Sequence, residues 1–146
     1  MSLKRHDRVA LAAEQLDCAL HLFLNRKSFV SALTLAGAAE EVLGRALTLQ
    51  QREASLGFAY QSHNWIHEAL HGTSLLWKNF SFKENFARNA VKHMRELSDI
   101  SIVVDIEDAA LWMLVRACDN YRRLNLSPTD KMNAFDDWFN EHVIGT

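Results

Sequence analysis

The sequence has very little of what interrupts a helix. Its 146 residues include one proline, Pro128, and five glycines, and apolar and polar residues do not alternate over more than a few positions. Glycine and proline are the residues least compatible with a helix interior, and regular alternation is the mark of a half-buried strand. The sequence therefore predicts an all-α protein.

Cysteines are also few, no long apolar run is present, and the positive and negative charges nearly balance. Cys18 and Cys118 lie far apart in apolar helical sequence, which predicts reduced, buried thiols in a cytoplasmic protein. No run of about 18 apolar residues is present, which argues against a membrane span, and early acidic residues interrupt any signal-peptide core. The net charge is −2, so nucleic-acid binding would have to rest on a local basic patch.

Apolar residues do recur at helical spacing along most of the chain. With 49% apolar and 23% charged residues, the sequence is that of one folded domain, residues 1–146. Ser81-Phe82-Lys83-Glu84 matches a capping box, and many small residues in the second helix predict a close helix–helix approach. The predicted helices run from about 4 to 25, 28 to 50, 61 to 71, 81 to 97, 105 to 124 and 128 to 142. The aromatic residues of the last helix, Trp138 and Phe139, are expected to dock on the bundle or on a second subunit.

The stretch HEALH, residues 67–71, matches the His-Glu-x-x-His pattern of zinc proteases. On a helix His67 and His71 can share a metal ion, and Glu68 can take a proton from a metal-bound water. A third ligand would have to come from elsewhere, with Glu84 and Glu96 as candidates, and no supporting β-sheet is predicted. A zinc hydrolase is therefore a distant alternative, and a polar, partly exposed helix is the simpler interpretation.

A second stretch, RNAVKH at residues 88–93, places an arginine, an asparagine, a lysine and a histidine close together. It is preceded by SALTLAGAAEEVLG and followed by EDAALWMLVRACDNYRRL. The hexad matches the Arg-x4-6-His motif of the HEPN superfamily. Together with its flanking helices, it makes the chain resemble that superfamily over about residues 5–125. The last helix, about 128–142, is then an appendage.

The resemblance implies an up-and-down bundle of four to six helices that pairs as a homodimer, with the motif helices near the two-fold axis. Superfamily members that keep both motif residues are often metal-independent endoribonucleases, found as toxins, abortive-infection proteins, and RNA-processing or defence factors. Others are non-catalytic binding modules. The implied partners are RNA, a second copy and an antitoxin-like protein, and no cofactor is expected.

Residue by residue, Arg88 and His93 match the superfamily's catalytic pair, and Asn89 matches its accessory position. Lys92 and Arg95, from their charge alone, are expected to add positive potential and support phosphate binding. Histidine would transfer a proton to or from an RNA 2′-hydroxyl or leaving oxygen, and arginine would bind the phosphate. Arg95 also stands where a tyrosine is common in toxins silenced by a nucleotidyltransferase partner, so silencing through that position is not expected.

Helical geometry tests this assignment. If residues 81–97 form one helix, Phe82, Phe86, Ala90, Met94 and Leu97 define its buried arc, and His93 lies at the arc's edge. Arg88 then points about 140° away from His93. One isolated helix does not aim both side chains at one atom. The long arginine can reach part of the way and a two-fold partner can supply the rest, so the chemistry needs a dimer that places two copies of each group around one groove.

Glu40 supports a different interpretation. It shares a heptad position with Leu33 and Leu47 and is expected to point inward, where a carboxylate needs a partner such as Arg88, His93 or Arg45. A structural polar pair of this kind is compatible with a HEPN-like dimeric binding module that has no catalytic activity.

Overall fold

The computed structural model describes residues 1–145, which contain helices and no strand. The all-α prediction is therefore confirmed. A 3₁₀ turn covers Leu97–Ile100, and a π-helical turn covers Asn140–Ile144. The α-helices are α1 Arg8–Leu24, α2 Phe29–Leu49, α3 Ser55–His71, α4 Trp77–Glu84, α5 Phe86–Ala90, α6 Ile106–Arg123 and α7 Asp130–Phe139.

Helix α2 lies at the centre of the bundle, packed along α1 on one side and α6 on the other. A short turn at residues 25–28 makes α1 and α2 antiparallel neighbours. The three helices bury one apolar core, and the alanines on α2 allow the close approach that the sequence predicted. The largest fully buried apolar side chains include Leu16, Leu20, Leu33, Leu43 and Leu114.

Capping residues fix the starts of the long helices. Asp7, Ser28, Asp105 and Thr129 each accept a hydrogen bond from a backbone N–H in the first turn of α1, α2, α6 and α7, respectively. The predicted starts at Ser28 and Asp105 are confirmed. None of the described helices combines the length and apolar character that crossing a membrane requires.

Helix α7 docks on the bundle through its aromatic side chains, as predicted. The rings of Phe135 and Trp138 pack edge-on against Phe23 of α1, with centroids 5.9 and 5.1 Å away. Phe139 contacts Trp112 of α6 at 5.9 Å. The appended helix is thus part of the same core.

Helix α3 is longer than predicted, beginning at Ser55 instead of residue 61, and none of its residues is buried. Its N-cap, Ala54, has no side chain that could accept a hydrogen bond. The Ser55 N–H instead donates to Asn120 Oδ1 on α6, 2.8 Å away. This start depends on a tertiary contact, which explains why no local sequence signal marks it.

The predicted helix from 81 to 97 is wrong. Its place is taken by α4, which begins at Trp77, and by the short α5, which ends at Ala90. Ser81 lies inside α4, where its hydroxyl donates to the Lys78 carbonyl of the preceding turn instead of capping a helix. The chain then turns at Val91 and continues without regular structure to the 3₁₀ turn.

The predicted buried arc is wrong for the same reason. Phe82 and Leu97 are 66% and 82% exposed, and Phe86 and Met94 are also exposed. Ala87 and Val91 pack against the core instead. The break at Asn85 and the end of α5 after Ala90 leave the large apolar side chains facing solvent.

The two cysteines differ. Cys118 is buried, and burial raises the pKa of its thiol to about 12. Cys18 is exposed on α1, so its predicted burial is wrong. Its position falls outside the stripe formed by Ala12, Leu16 and Ala19.

Candidate functional site

The five motif residues divide between a short helix and the segment that follows it. Arg88 and Asn89 belong to α5 and are partly buried, and the Arg88 side chain is only 12% exposed. Lys92, His93 and Arg95 lie beyond α5 and are exposed. The expected place of His93 at the edge of a buried helical arc is therefore wrong, because the helix ends before it.

Glu40 is buried on α2, as its heptad position indicated, and two arginines share its carboxylate. Arg88 Nη1 donates to Oε2 at 3.4 Å, and Arg116 Nη2 from α6 donates to Oε1 at 2.8 Å. Arg88 was one of the expected partners. Of the other two candidates, neither His93 nor Arg45 contacts Glu40 through a hydrogen bond or ion pair in residues 1–145.

Arg116 connects this carboxylate to the junction between α4 and α5. Its Nη1 donates to the Glu84 carbonyl at 3.2 Å, and its Nη2 donates to Asn85 Oδ1 at 3.1 Å. Asn120, one turn further along α6, donates through Nδ2 to the Glu40 carbonyl at 3.2 Å. The polar cluster of Glu40, Asn85, Arg88, Arg116 and Asn120 therefore holds α2, α6 and the α4–α5 junction together.

Three members of the cluster, Arg116, Asn85 and Asn120, were not predicted from the sequence. A signal was present for two of them, since Arg116 and Asn120 are spaced i,i+4 between the apolar positions Met113 and Tyr121 of α6. Polar residues on the inner face of an amphipathic helix indicate a buried polar contact. Asn85 had no such signal, because its role depends on the helix break that it occupies.

Gly37 provides the room for Arg88. A Cβ atom at this position would lie 2.5 Å from Arg88 Cδ and 2.7 Å from Cγ, which is closer than two carbon atoms can approach. The aliphatic part of Arg88 thus crosses α2 where Gly37 has no side chain to block it. A larger residue at position 37 would displace Arg88 from this position.

The two arginines are held to different degrees. Arg116 makes the short contact to Glu40, whereas Arg88 Nη1 lies 3.4 Å from Glu40 and 3.7 Å from the exposed carboxylate of Glu41. Arg88 Nε donates to Asn89 Oδ1 at a similarly long 3.4 Å, and its Nη2 has no acceptor in the described chain. Arg88 is therefore oriented by its neighbours, while its Nη2 group keeps N–H donors that no residue of the described chain accepts from.

Glu40 and Glu41 also line one end of an open groove of about 560 Å³. The groove runs along the second half of α2 and the start of α3. Its other lining residues include Arg45, Arg52 and Trp77. Cations and carboxylates both face this groove, so it has no strong preference for either sign of charge.

The HEALH stretch is the last turn and a half of α3, where it anchors the loop that follows. His67 Nδ1 lies 2.6 Å from the Thr73 carbonyl oxygen. Glu68 accepts hydrogen bonds from Ser74 and Asn64, and these bonds lower the pKa of its carboxyl. In residues 1–145 no three His, Cys, Asp or Glu side chains are grouped so that they could hold a metal ion, so neither Glu84 nor Glu96 supplies the third ligand that the zinc-hydrolase alternative needed.

No protein-family model matches the chain, and no curated protein or solved structure is significantly similar to it. The function has to be inferred from the residues of the chain itself.

Proposed function

We propose that this protein is a HEPN-like homodimeric endoribonuclease that cleaves RNA without a metal ion. One observation carries the proposal. Arg88 is oriented over a buried carboxylate, retains an unused guanidinium donor, and lies five residues before an exposed histidine in a basic segment. An oriented cation and an accessible imidazole are the two groups that phosphodiester transesterification requires.

Each motif residue would have a distinct role. His93 would take the proton from a 2′-hydroxyl or give one to the leaving oxygen, since imidazole is the side chain suited to both steps near neutral pH. Arg88 would donate to the phosphate, whose charge builds in the transition state. Asn89 orients Arg88 through its side-chain oxygen, and Lys92 and Arg95 add positive potential for the RNA backbone.

A second copy of the chain completes the site in this proposal. Seven large apolar side chains between Phe82 and Val103 are exposed, and a dimer of standard size would need a face of ~800 Å² on each subunit to bury them. This segment includes the motif, so pairing through it would bring both copies of Arg88 and His93 together. We call this surface the 82–103 segment; its exposed members are Phe82, Phe86, Met94, Leu97, Ile100, Ile102 and Val103.

The test is cleavage of a structured RNA by purified protein after treatment with a chelator. We expect products ending in 2′,3′-cyclic phosphate, because the attacking group is the neighbouring 2′-hydroxyl. His93→Ala should reduce the rate by about 10² to 10⁴-fold, the usual contribution of a general acid–base group. Its folded structure should be unchanged, since His93 is exposed and outside the helices.

His67→Ala is the matched control. It removes a histidine of α3 and should leave the rate unchanged. If expression of the protein arrests growth, the same pair of variants tests a toxin role, and an antitoxin-like partner would be sought among proteins that relieve the arrest. Loss of cleavage on chelation, or equal loss in the two variants, would contradict the proposal.

A non-catalytic HEPN-like dimer is the second candidate, favoured by the burial of Arg88 and its contact with Glu40. In that case Arg88 is structural, and a salt bridge with one buried carboxylate is its main role. The chain would then form the dimer without cutting RNA, and Arg88→Ala would lower stability while no activity is present to lose.

A further inference from the structure

His67 and His71 lie one helical turn apart at the end of α3, with ring centroids 4.7 Å from each other. We propose that these two side chains form a binding site for a divalent transition-metal ion. The site is separate from the Arg88 motif and does not depend on ribonuclease activity. Two imidazoles at i and i+4 can chelate one ion because both project from the same face of the helix.

The tautomer of His67 supports this assignment. Its Nδ1 lies 2.6 Å from the Thr73 carbonyl oxygen, and a carbonyl only accepts, so Nδ1 carries the proton. The lone pair is therefore on Nε2, the opposite nitrogen. A histidine that donates its other ring N–H to a backbone carbonyl has the arrangement usual for metal ligands, because the hydrogen bond fixes both the ring orientation and the tautomer.

The remaining nitrogens are available. Neither Nε2 of His67 nor either ring nitrogen of His71 is hydrogen-bonded to a residue in the range 1–145, and His71 is exposed. His63, one turn earlier, also has Nδ1 at hydrogen-bond distance from a backbone carbonyl, that of Ala59 at 3.0 Å, but its ring packs against Phe80 with centroids 5.3 Å apart.

The chemistry of the pair selects the ion. Imidazole nitrogen suits Cu²⁺, Ni²⁺ and Zn²⁺, with Cu²⁺ bound most tightly, and does not suit Mg²⁺ or Ca²⁺, which take oxygen ligands. Two protein ligands leave the other coordination positions to water. Glu68 is held by Ser74 and Asn64, so it is not placed as a general base, and the site is inferred to bind metal without hydrolysing a substrate.

Metal binding would stabilise the end of α3. The two rings are close only while the last turn is helical, so an ion that bridges them favours the helix over the frayed state. This matters more for α3 than for the other long helices because α3 buries none of its side chains.

The experiment is a titration of the full, tag-free chain with Cu²⁺, Ni²⁺, Zn²⁺ and Mg²⁺ by isothermal calorimetry, together with amide hydrogen exchange. We expect one ion per chain, affinities in the order Cu²⁺ above Ni²⁺ and Zn²⁺, and no heat with Mg²⁺. Exchange should slow in the last turn of α3, residues 67–71, when Cu²⁺ or Zn²⁺ is added. His67→Ala and His71→Ala should each weaken binding by about tenfold or more.

His63→Ala is the matched control, because it removes a histidine from the same helix and should change the affinity less than about twofold. Circular dichroism establishes that each variant keeps its helices. Unchanged affinity in His67→Ala or His71→Ala, or an equal loss in His63→Ala, would overturn the assignment. Either result leaves the ribonuclease proposal standing, since that activity is measured in chelator.

Discussion

At the scale of single residues, the Glu40 carboxylate is the centre of the molecule's buried polar contacts. Two guanidiniums face one carboxylate in a site where Glu40 and Arg116 are almost fully enclosed. Charges removed from water are tolerated only when they are paired and hydrogen-bonded. The arrangement is stable as a unit and sensitive to the loss of its single anion.

Removing that anion should be costly. We expect Glu40→Ala to lower the free energy of unfolding by about 3 to 5 kcal/mol, because Arg116 and Arg88 would keep buried charges without their main partner. Urea unfolding followed by circular dichroism measures the change. Glu41→Ala is the control: its side chain is 66% exposed, and its loss should alter stability by no more than about 0.5 kcal/mol. If Glu40→Ala lowers the free energy of unfolding no more than Glu41→Ala does, the buried ion pairs contribute little to stability.

The residues of this cluster show what a sequence reveals of a site. The burial of Glu40 followed from its heptad position, and Arg88 followed as one of its possible partners. The exposure of His93 did not follow, because it depends on α5 ending at Ala90, where no glycine or proline marks a helix end in the sequence. Arg116 and Asn120 could have been identified from their place on the inner face of α6, whereas Asn85 could not.

At the scale of helices, apolar periodicity and capping residues correctly predicted the helices that bury a continuous row of apolar side chains along one face. Helices α1, α2, α6 and α7 have such stripes, and their side-chain caps are local in sequence. The predicted helix bounds and buried residues were wrong in the region from α3 to α5, because its aromatic residues recur at helical spacing while they face solvent. Ser81 and Glu84 matched a capping box, yet Ser81 occupies the middle of a helix whose start lacks a side-chain cap.

Capping roles can be separated by experiment. Asp105 accepts from the Asp108 N–H at the start of α6, so Asp105→Ala should lower the free energy of unfolding by about 1 kcal/mol. Ser81→Ala should change it by only a few tenths, since alanine is the better helix former and Ser81 caps nothing. Thermal or urea denaturation of both variants provides the comparison. A loss of about 1 kcal/mol in Ser81→Ala would restore the capping box that the sequence suggested.

At the scale of the whole molecule, the protein consists of a well-packed core of α1, α2, α6 and α7 and a thin outer layer of α3 to α5. The outer layer contributes few buried apolar side chains, with Phe80 as the one buried residue of α3, α4 and α5. Residues 55–103, which include this layer and the chain after it, carry most of the large apolar side chains that are exposed, among them Trp65, Leu70 and the 82–103 segment. In the proposed dimer, the exposed side chains of the 82–103 segment form the contact with the second copy.

In the proposed homodimer the 82–103 segment is the interface between the two subunits. A substitution that disrupts this interface therefore tests the proposal at the scale of the whole molecule. Leu97 is 82% exposed, so Leu97→Asp should leave the helices intact as judged by circular dichroism. A buried, unpaired carboxylate at the interface should weaken dimerisation by roughly 30-fold, about 2 kcal/mol, measurable by sedimentation equilibrium. Leu49→Asp is the control, since Leu49 is 68% exposed at the end of α2 and lies outside the segment. If both variants stay dimeric, the subunits pair through another face. The two copies of the motif would then have no reason to meet, and the shared ribonuclease site would lose its physical basis.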